Sequence, residues 1–368
     1  MINNVMSRKY IKDKISVVIP IYNESKNISI LINNIINELK NKNYEVIIVD
    51  DESDDGSIEE VLKISQKNEG IKVIQKMNDK GLTQSIKFGL QTITGDIFIV
   101  MDGDGQHDPK DISKMFNVIK KNDLVIGYRD LTKIRSIGQF RKKMSIFFNK
   151  FVNLLLGTNL IDPLTGFFMG KTKILKKNFF DLSNDGFKVL IDLIHVNKNK
   201  IKISEIEINF KKREFGKSKL DSRVAFSFFT QLLSLSTFGI FSSKFIGFIM
   251  IGSVGLLVHL SVFFLLYSFE LSFLVSFFIS TFIATINNFF LNHYFNFYIY
   301  TRISSLKLII IALPKYFLIT LPGSISSISS ANFIHSEYNT TIIFPALIGI
   351  IIDITFKYYL SKKWVWKN

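Results

Sequence analysis

The sequence predicts an α/β domain with a mostly parallel sheet over residues 1–220, followed by a helical membrane half. Three observations lead there. Up to about residue 215, short Val/Ile-rich runs alternate with helical stretches, the pattern of strands covered on both faces by crossover helices. From residue 226 the composition turns to apolar stretches of membrane-spanning length. Acidic motifs sit directly after the apolar runs, at the carboxyl ends of strands, where open α/β sheets bind their ligands.

Taken in order, ISVVIPIY is the first strand and SKNISILINNIINELK its helix. EVIIVDD with SIEEVLKISQKN, IKVIQK with TQSIKFGLQ, and DIFIVMD with PKDISKMFNVIKKN are the next three pairs, and DLVIGYR is a fifth strand. Residues 221–243 are apolar but interrupted by Ser and Gln, which predicts one or two helices lying at a membrane interface. Four spans follow at about 245–269, 271–291, 308–328 and 342–360, each near the ~20 residues a membrane helix needs. Arg302 and Lys307 follow the second span, and Lys362, Lys363 and Lys367 follow the fourth, while the other two connections hold no Lys or Arg. The positive-inside rule then predicts a multi-pass membrane protein with the α/β domain and both termini cytoplasmic. The N-terminal MINNVMSRKYIKDK is basic without an apolar run, unlike a signal peptide. The second span closes on NNFFLNHYFNF and the fourth on FKYYLSKKWVW, which reads either as a weak internal repeat or as two separate aromatic belts. Within the spans, His259, Lys315, Asp353 and Lys357 are costly in hydrocarbon and are expected to be paired.

Composition narrows the function. The chain is 47% hydrophobic and carries a net charge of +15, of which the part after residue 225 holds only +5. A basic domain joined to an apolar one suits an anionic membrane surface or anionic substrates, and no zinc-finger or RNA-binding signature points to nucleic acid. With no cysteine, disulfides, thiolate metal sites and thiol nucleophiles are excluded.

The stretch VMDGDGQHDP follows the fourth strand. Asp102, Asp104 and Gln106 alternate, so on an extended segment their side chains point the same way. An EF-hand loop would need Gly and Glu where His107 and Ser113 stand, and is excluded. Both a plain turn and a metal site stand at this point, since Asp and Gly are common in turns. The departing diphosphate of a nucleotide sugar carries about two negative charges, which a hard cation held by oxygen ligands would offset.

IPIYNE, VDDESDDG, MDGDGQHDP, DPLTGFF and KREFGKSKL, in this order over residues 15–220, resemble the family 2 glycosyltransferases of the GT-A fold. More closely they are similar to the dolichol-phosphate mannose synthases and their bacterial polyprenyl-phosphate relatives. The resemblance implies that Pro20, Tyr22, Glu24, Val49 and Asp51 hold the nucleotide base and ribose. It implies that Asp102, Asp104 and Gln106 bind Mg2+ or Mn2+ with the diphosphate, and that Gly103 lies against the nucleotide. Arg129 falls near the phosphates. Arg141 and Ser145, one helical turn apart, resemble a clamp on the acceptor phosphate, and FRKK can also be read as a basic membrane-surface patch. Arg213 and Lys219, around a Gly216 hinge, resemble the groups that close over the donor diphosphate. DPLTGFF shapes the acceptor side, or else starts a helix with Asp162 as its N-cap and Pro163 in the first turn. His107 could be taken for a base, but a histidine beside such a turn is more often a packing residue, and it stays unassigned. Residues 244–368 resemble the GtrA-like four-helix membrane domain.

The implied reaction is inverting transfer of a hexose, mannose from GDP-mannose first and glucose from UDP-glucose next, to a polyprenyl or dolichyl phosphate. A phosphate monoester has a second pKa near ~6, so such an acceptor needs no general base. Two other readings stay open. Transfer to a different acceptor would require a carboxylate base, for which only Asp162 offers itself. A transport or scaffold protein would use the helices to move lipid-linked sugar. The oligomeric state is unread.

Overall fold

The structure is a computed structural model, and it describes residues 11–76, 81–130, 139–176, 179–180, 189–197, 200–211, 222–237, 240–297, 310–323 and 354–366. The chain divides into two compact units, Met1–Leu220 with Leu235–Gly239, and Asp221–Ser234 with Ile240–Asn368.

The first unit alternates strands and helices as the sequence predicts: β1 (Ile11–Ile21), α1 (Ser25–Leu39), β2 (Asn43–Asp50), α2 (Ser57–Ser65), β3 (Ile71–Gln75), α3 (Leu82–Thr92), β4 (Gly95–Val100), α4 (Asp111–Ile119) and β5 (Leu124–Tyr128). There follow α5 (Gln139–Leu156), β6 (Phe168–Lys171), α6 (Val189–Val196) and β7 (Ile203–Glu207). The seven strands form one sheet in the order β3-β2-β1-β4-β6-β5-β7. All pairings are parallel except those of β6, which runs antiparallel to both β4 and β5. This is the GT-A arrangement that the motifs imply. Ile15, Val17, Val18 and Ile19 of β1 are all fully buried, which is why the central strand reads as a continuous apolar run rather than an alternating one. Ile28, Leu31, Ile32, Ile35 and Leu39 of α1 recur at helical spacing and enter the same core. Each such side chain contributes roughly 1.5–3 kcal/mol on burial.

One sequence reading is corrected. No helix begins at Asp162; residues 162–165 turn instead into β6, where Phe168 and Met169 are both buried because helices cover the sheet on each face. Asp162 uses its carboxylate elsewhere, as described below.

The second unit contains α7 (Ser222–Ser236) up to Ser234, α8 (Ser243–Ser268), α9 (Phe273–Leu291), α10 (Ile310–Gly323) and α11 (354–360). Among the described residues two stretches, Ser243–Ser268 and Val275–Asn296, are long and apolar enough to cross a membrane. They fall on the first two expected spans. The third contains α10, and of the fourth the part before residue 354 lies outside the described residues, as does Asp353. The inward stripe of α8 holds Lys244, Gly247, Phe248, Ile251 and Gly255, whereas Leu256, Leu257, Phe264 and Leu265 are more than half exposed. A helix apolar all round, with outward faces of this kind, is suited to lipid.

The two span ends that look alike in sequence adopt the same turn. α9 runs into a five-residue π-turn at Asn292–Asn296, and α11 into one at Ser361–Val365. The Phe297 and Trp366 amides donate to Asn292 and Ser361 carbonyls at 2.8 and 3.0 Å, and the two rings stack 4.4 Å apart. Among the ionisable groups, Lys244 donates to the Asn296 carbonyl at the end of the first π-turn, a cation at a helix C-terminus. His259 Nδ1 lies 3.0 Å from Ser280 Oγ, joining α8 to α9, and Lys315 lies over the Trp364 ring.

Candidate active site

The carboxyl ends of β1 and β2 bring the first two motifs together. Pro20 faces Val49 and Ile21 faces Asp50 across the parallel register. Beyond them the loops are laced: Asn23 Nδ2 donates to Asp54 Oδ1 at 2.9 Å, the Asp54 amide returns to Asn23 Oδ1 at 3.1 Å, and the Glu24 amide donates to Ser57 Oγ at 2.8 Å. Glu24 is buried and accepts from Asn27 Nδ2, while Tyr22 keeps 43% of its surface exposed. Asp51 accepts from Lys76 Nζ at 3.0 Å and from the Gly81 amide at 2.9 Å, so it anchors the start of α3 as well as facing the strand ends. Lys76 was not singled out by sequence.

The acidic turn after β4 packs onto this edge. A Cβ at Gly103 would lie 2.8 Å from Ile21 Cγ2 and 3.1 Å from the Pro20 carbonyl, so only glycine lets the turn approach β1 this closely. Gly105 takes a positive φ of 73°, and the Gln106 amide donates to Asp104 Oδ1 at 3.1 Å. The turn is pinned from the other side, because the Lys211 amide donates to the Gln106 carbonyl at 2.8 Å and Gln106 Nε2 donates to the Lys211 carbonyl at 3.2 Å. His107 is buried, stacked on Phe167 with ring centroids 5.1 Å apart and edge-on to Phe210.

Asp102 keeps a third of its side chain open, with His107 Nδ1 4.0 Å from its Oδ2. The backbone of Gly166 lies so close that any Cβ there would overlap the Asp102 carboxylate. Among the described residues no group of three or more His, Asp or Glu gathers. The turn carries two carboxylates and an amide, Asp102, Asp104 and Gln106, oxygen donors of the kind that would suit Mg2+ or Mn2+.

Arg129 follows β5. Its Nε donates to Asp162 Oδ2 at 2.7 Å and its Nη2 to Asp162 Oδ1 at 3.1 Å, and the guanidinium lies 5.3 Å over the Phe210 ring. Burial alone would lower the Arg129 pKa, but the charge and hydrogen bonds of Asp162, with a further pull from Asp102, raise it above its ordinary value. The result is a fixed cation beside the acidic turn. Glu205 accepts the Ile161 amide at 2.8 Å, and burial together with the Asp162 charge pushes its carboxyl up. Asp162, which the sequence leaves between shaping the acceptor side and capping a helix, has its partner 33 residues away in the chain, and its place in DPLTGFF is the signal that singled it out.

Ser145 sits partly buried on α5. Arg141 stands one turn before it, but the Arg141 side chain lies outside the described residues, as do Arg213, Gly216 and Lys219. Pro20, Val49 and Asp51 lie at the neighbouring ends of β1 and β2, the turn with Asp102, Gly103, Asp104 and Gln106 follows the adjacent β4, and Arg129 follows β5, with antiparallel β6 between the last two.

Residues 16–179 match the family model described as glycosyl transferase family 2, and residues 247–366 the one described as GtrA/DPMS, transmembrane domain. The chain is 32% identical over 252 residues to a dolichol-phosphate mannosyltransferase of Pyrococcus furiosus, covering 67% of this chain and 70% of that protein. It is 28% identical over 250 residues to the dolichol-phosphate mannosyltransferase of Saccharomyces cerevisiae, covering 65% and 93%. A solved glucosyl-3-phosphoglycerate synthase from Mycobacterium tuberculosis, in complex with Mn2+, UDP-glucose and phosphoglyceric acid, aligns at a TM-score of 0.48 and 18% identity, covering 64% of this chain and 84% of that one. With that geometry and these relatives, the chain belongs to glycosyl transferase family 2 and is a membrane-associated glycosyltransferase carrying a GtrA/DPMS-type transmembrane domain.

Proposed function

We propose that the chain transfers a hexose, mannose from GDP-mannose, to a polyprenyl or dolichyl phosphate with inversion at the anomeric carbon, in the presence of Mg2+ or Mn2+. The observation that supports this best is the commitment of Asp162. It is the one carboxylate that DPLTGFF offers as a base, and both its oxygens are engaged by Arg129. An acceptor alcohol would need that base; an acceptor phosphate, ionised at neutral pH, does not.

The work left to the protein is orientation and charge stabilisation. Arg129, with Arg141 and Ser145, holds the acceptor phosphate. Pro20, Tyr22, Glu24, Val49 and Asp51 seat the nucleoside, and Gly103 lies against it. Arg213 and Lys219 close over the donor diphosphate. Asp102, Asp104 and Gln106 hold the cation, which when bound supplies positive charge against the departing nucleoside diphosphate. One in-line displacement converts an α-linked donor into a β-linked lipid sugar. The α/β domain and both termini face the cytoplasm, and the 221–243 segment lies at the interface.

The test is transfer by the purified full-length chain to a short polyprenyl phosphate from a panel of GDP- and UDP-sugars, with Mg2+, Mn2+ or a chelator. Metal-dependent formation of β-mannosyl phospholipid from GDP-mannose is expected. Absence of transfer from every donor in the panel, with the nucleotide still bound, would favour a transport or scaffold role instead.

A further inference from the structure

Phe210 follows β7 on a short strap that is tied down on both sides of it. The Ile208 amide donates to the Tyr128 carbonyl at 3.1 Å and the Asn209 amide to Asp111 Oδ2 at 2.7 Å. On the other side the Lys211 amide holds the Gln106 carbonyl, and Lys211 Nζ lies 3.1 Å from Asp108 Oδ2. Phe210 itself forms an antiparallel bridge with His107. The acidic turn and α4 therefore set where its ring lies. Over the face of that ring, 5.3 Å from the centroid, is the guanidinium carbon of Arg129.

Asp162 takes Arg129 Nε and Nη2, two of the five guanidinium N–H groups. Among the described residues the other three donate to no protein group, and Arg129 keeps 23% of its side chain open. A two-pronged bond fixes a guanidinium along one edge, yet the group can still swing about the line that joins it to the carboxylate. The negative face of an aromatic ring beneath the cation limits that swing.

We propose that Phe210 is a positioning residue for sugar transfer, its ring face holding Arg129 at the tilt that presents the three open N–H groups to the acceptor phosphate. The assignment rests on the acceptor proposed above. Asp162 fixes the edge of the guanidinium and Phe210 its plane. Because the strap is pinned to Gln106, that plane is registered on the turn that carries Asp102 and Asp104. Phe210 also packs against the core of the sheet, and a space-filling role alone would require volume at this position. Orientation of a cation requires in addition the charge distribution of the ring, which can be altered at nearly constant shape.

The test replaces Phe210 in the full-length chain by phenylalanines bearing one, two and three ring fluorines, which progressively cancel the negative face, and by Leu. Transfer from GDP-mannose to a short polyprenyl phosphate is followed in each. KM for the phosphate should rise in steps to about fivefold at three fluorines, while KM for the donor and the thermal melt stay unchanged along the series. Phe210→Leu should raise the acceptor KM at least as far. A flat acceptor KM along the fluorinated series, or a rise shared equally by the donor, overturns the proposal. No transfer by the unsubstituted chain would remove the proposed reaction and this inference together, whereas a flat series in a chain that transfers removes the inference alone.

Discussion

Arg129 and Asp162 form a two-pronged ion pair, Nε to Oδ2 at 2.7 Å and Nη2 to Oδ1 at 3.1 Å, that fixes a permanent cation beside the acidic turn. Removing one partner of such a pair leaves the other charge uncompensated and mispositioned. Asp162→Asn should therefore lower kcat/KM by about 100-fold, the scale of a misplacement near 1 Å. The shape of the pH profile should stay unchanged. If Asp162 were a base instead, its loss would remove the acidic limb of that profile, and a pH series on both proteins separates the two roles.

Gly166 sets where the Asp102 carboxylate can lie, because a Cβ there would overlap it. Gly166→Ala should push Asp102 out of line and weaken Mn2+ binding by about tenfold, the size seen when a ligand's support is disturbed. Asp104→Ala should weaken it further. Electron paramagnetic resonance of free Mn2+ during titration reads both without reference to activity; equal affinity in all three proteins would remove the acidic turn as the cation site.

At the amino-terminal end of the sheet, Glu45 is buried and accepts from Lys72 Nζ, Ser16 Oγ and the Thr94 amide, each at 2.6 Å. Burial alone would raise its pKa, but these bonds lower it to about 2. A depressed carboxyl stabilises the fold above its unfolded pKa of about 4.5, and this contribution is lost as pH falls through about 2. Glu45→Ala should cost about 3 kcal/mol at pH 7. Thermal melts followed by circular dichroism should show the variant's deficit at pH 7 and its narrowing toward pH 2.

In the second unit a Cβ at Gly255 would run into the Asn288 side chain, so glycine permits the close approach of α8 and α9. Gly255→Val should destabilise this hairpin by about 1–3 kcal/mol. Both tryptophans, Trp364 and Trp366, belong to this unit, so their fluorescence melt in detergent reports on it selectively. An unshifted melt would refute the tight packing at this position.

Much of this was legible in the sequence because local chemistry and position agreed. Each of the first four strands and their helices is a run whose periodicity follows directly from burial, and the acidic motifs fall at strand ends as the sheet topology requires. β6 was not legible: four residues, Phe168–Lys171, carry too little pattern, and their antiparallel course is imposed by β4 and β5 on either side. The helix cap stood as an alternative for Asp162 because Asp-Pro satisfies local rules, while its partner Arg129 is brought to it by the long-range fold. Nothing in the sequence singled out Glu45, since Ser16, Lys72 and Thr94 converge on it from three other places in the chain. The matching π-turns at Asn292–Asn296 and Ser361–Val365 were visible only as a likeness of aromatic span ends.

The central claim is that the acceptor arrives already ionised, so that no protein base takes part. Side-by-side transfer from GDP-mannose to a short polyprenyl phosphate and to the corresponding polyprenol measures this most directly. The account predicts β-linked product from the phosphate and none from the alcohol; comparable transfer to the alcohol would contradict it.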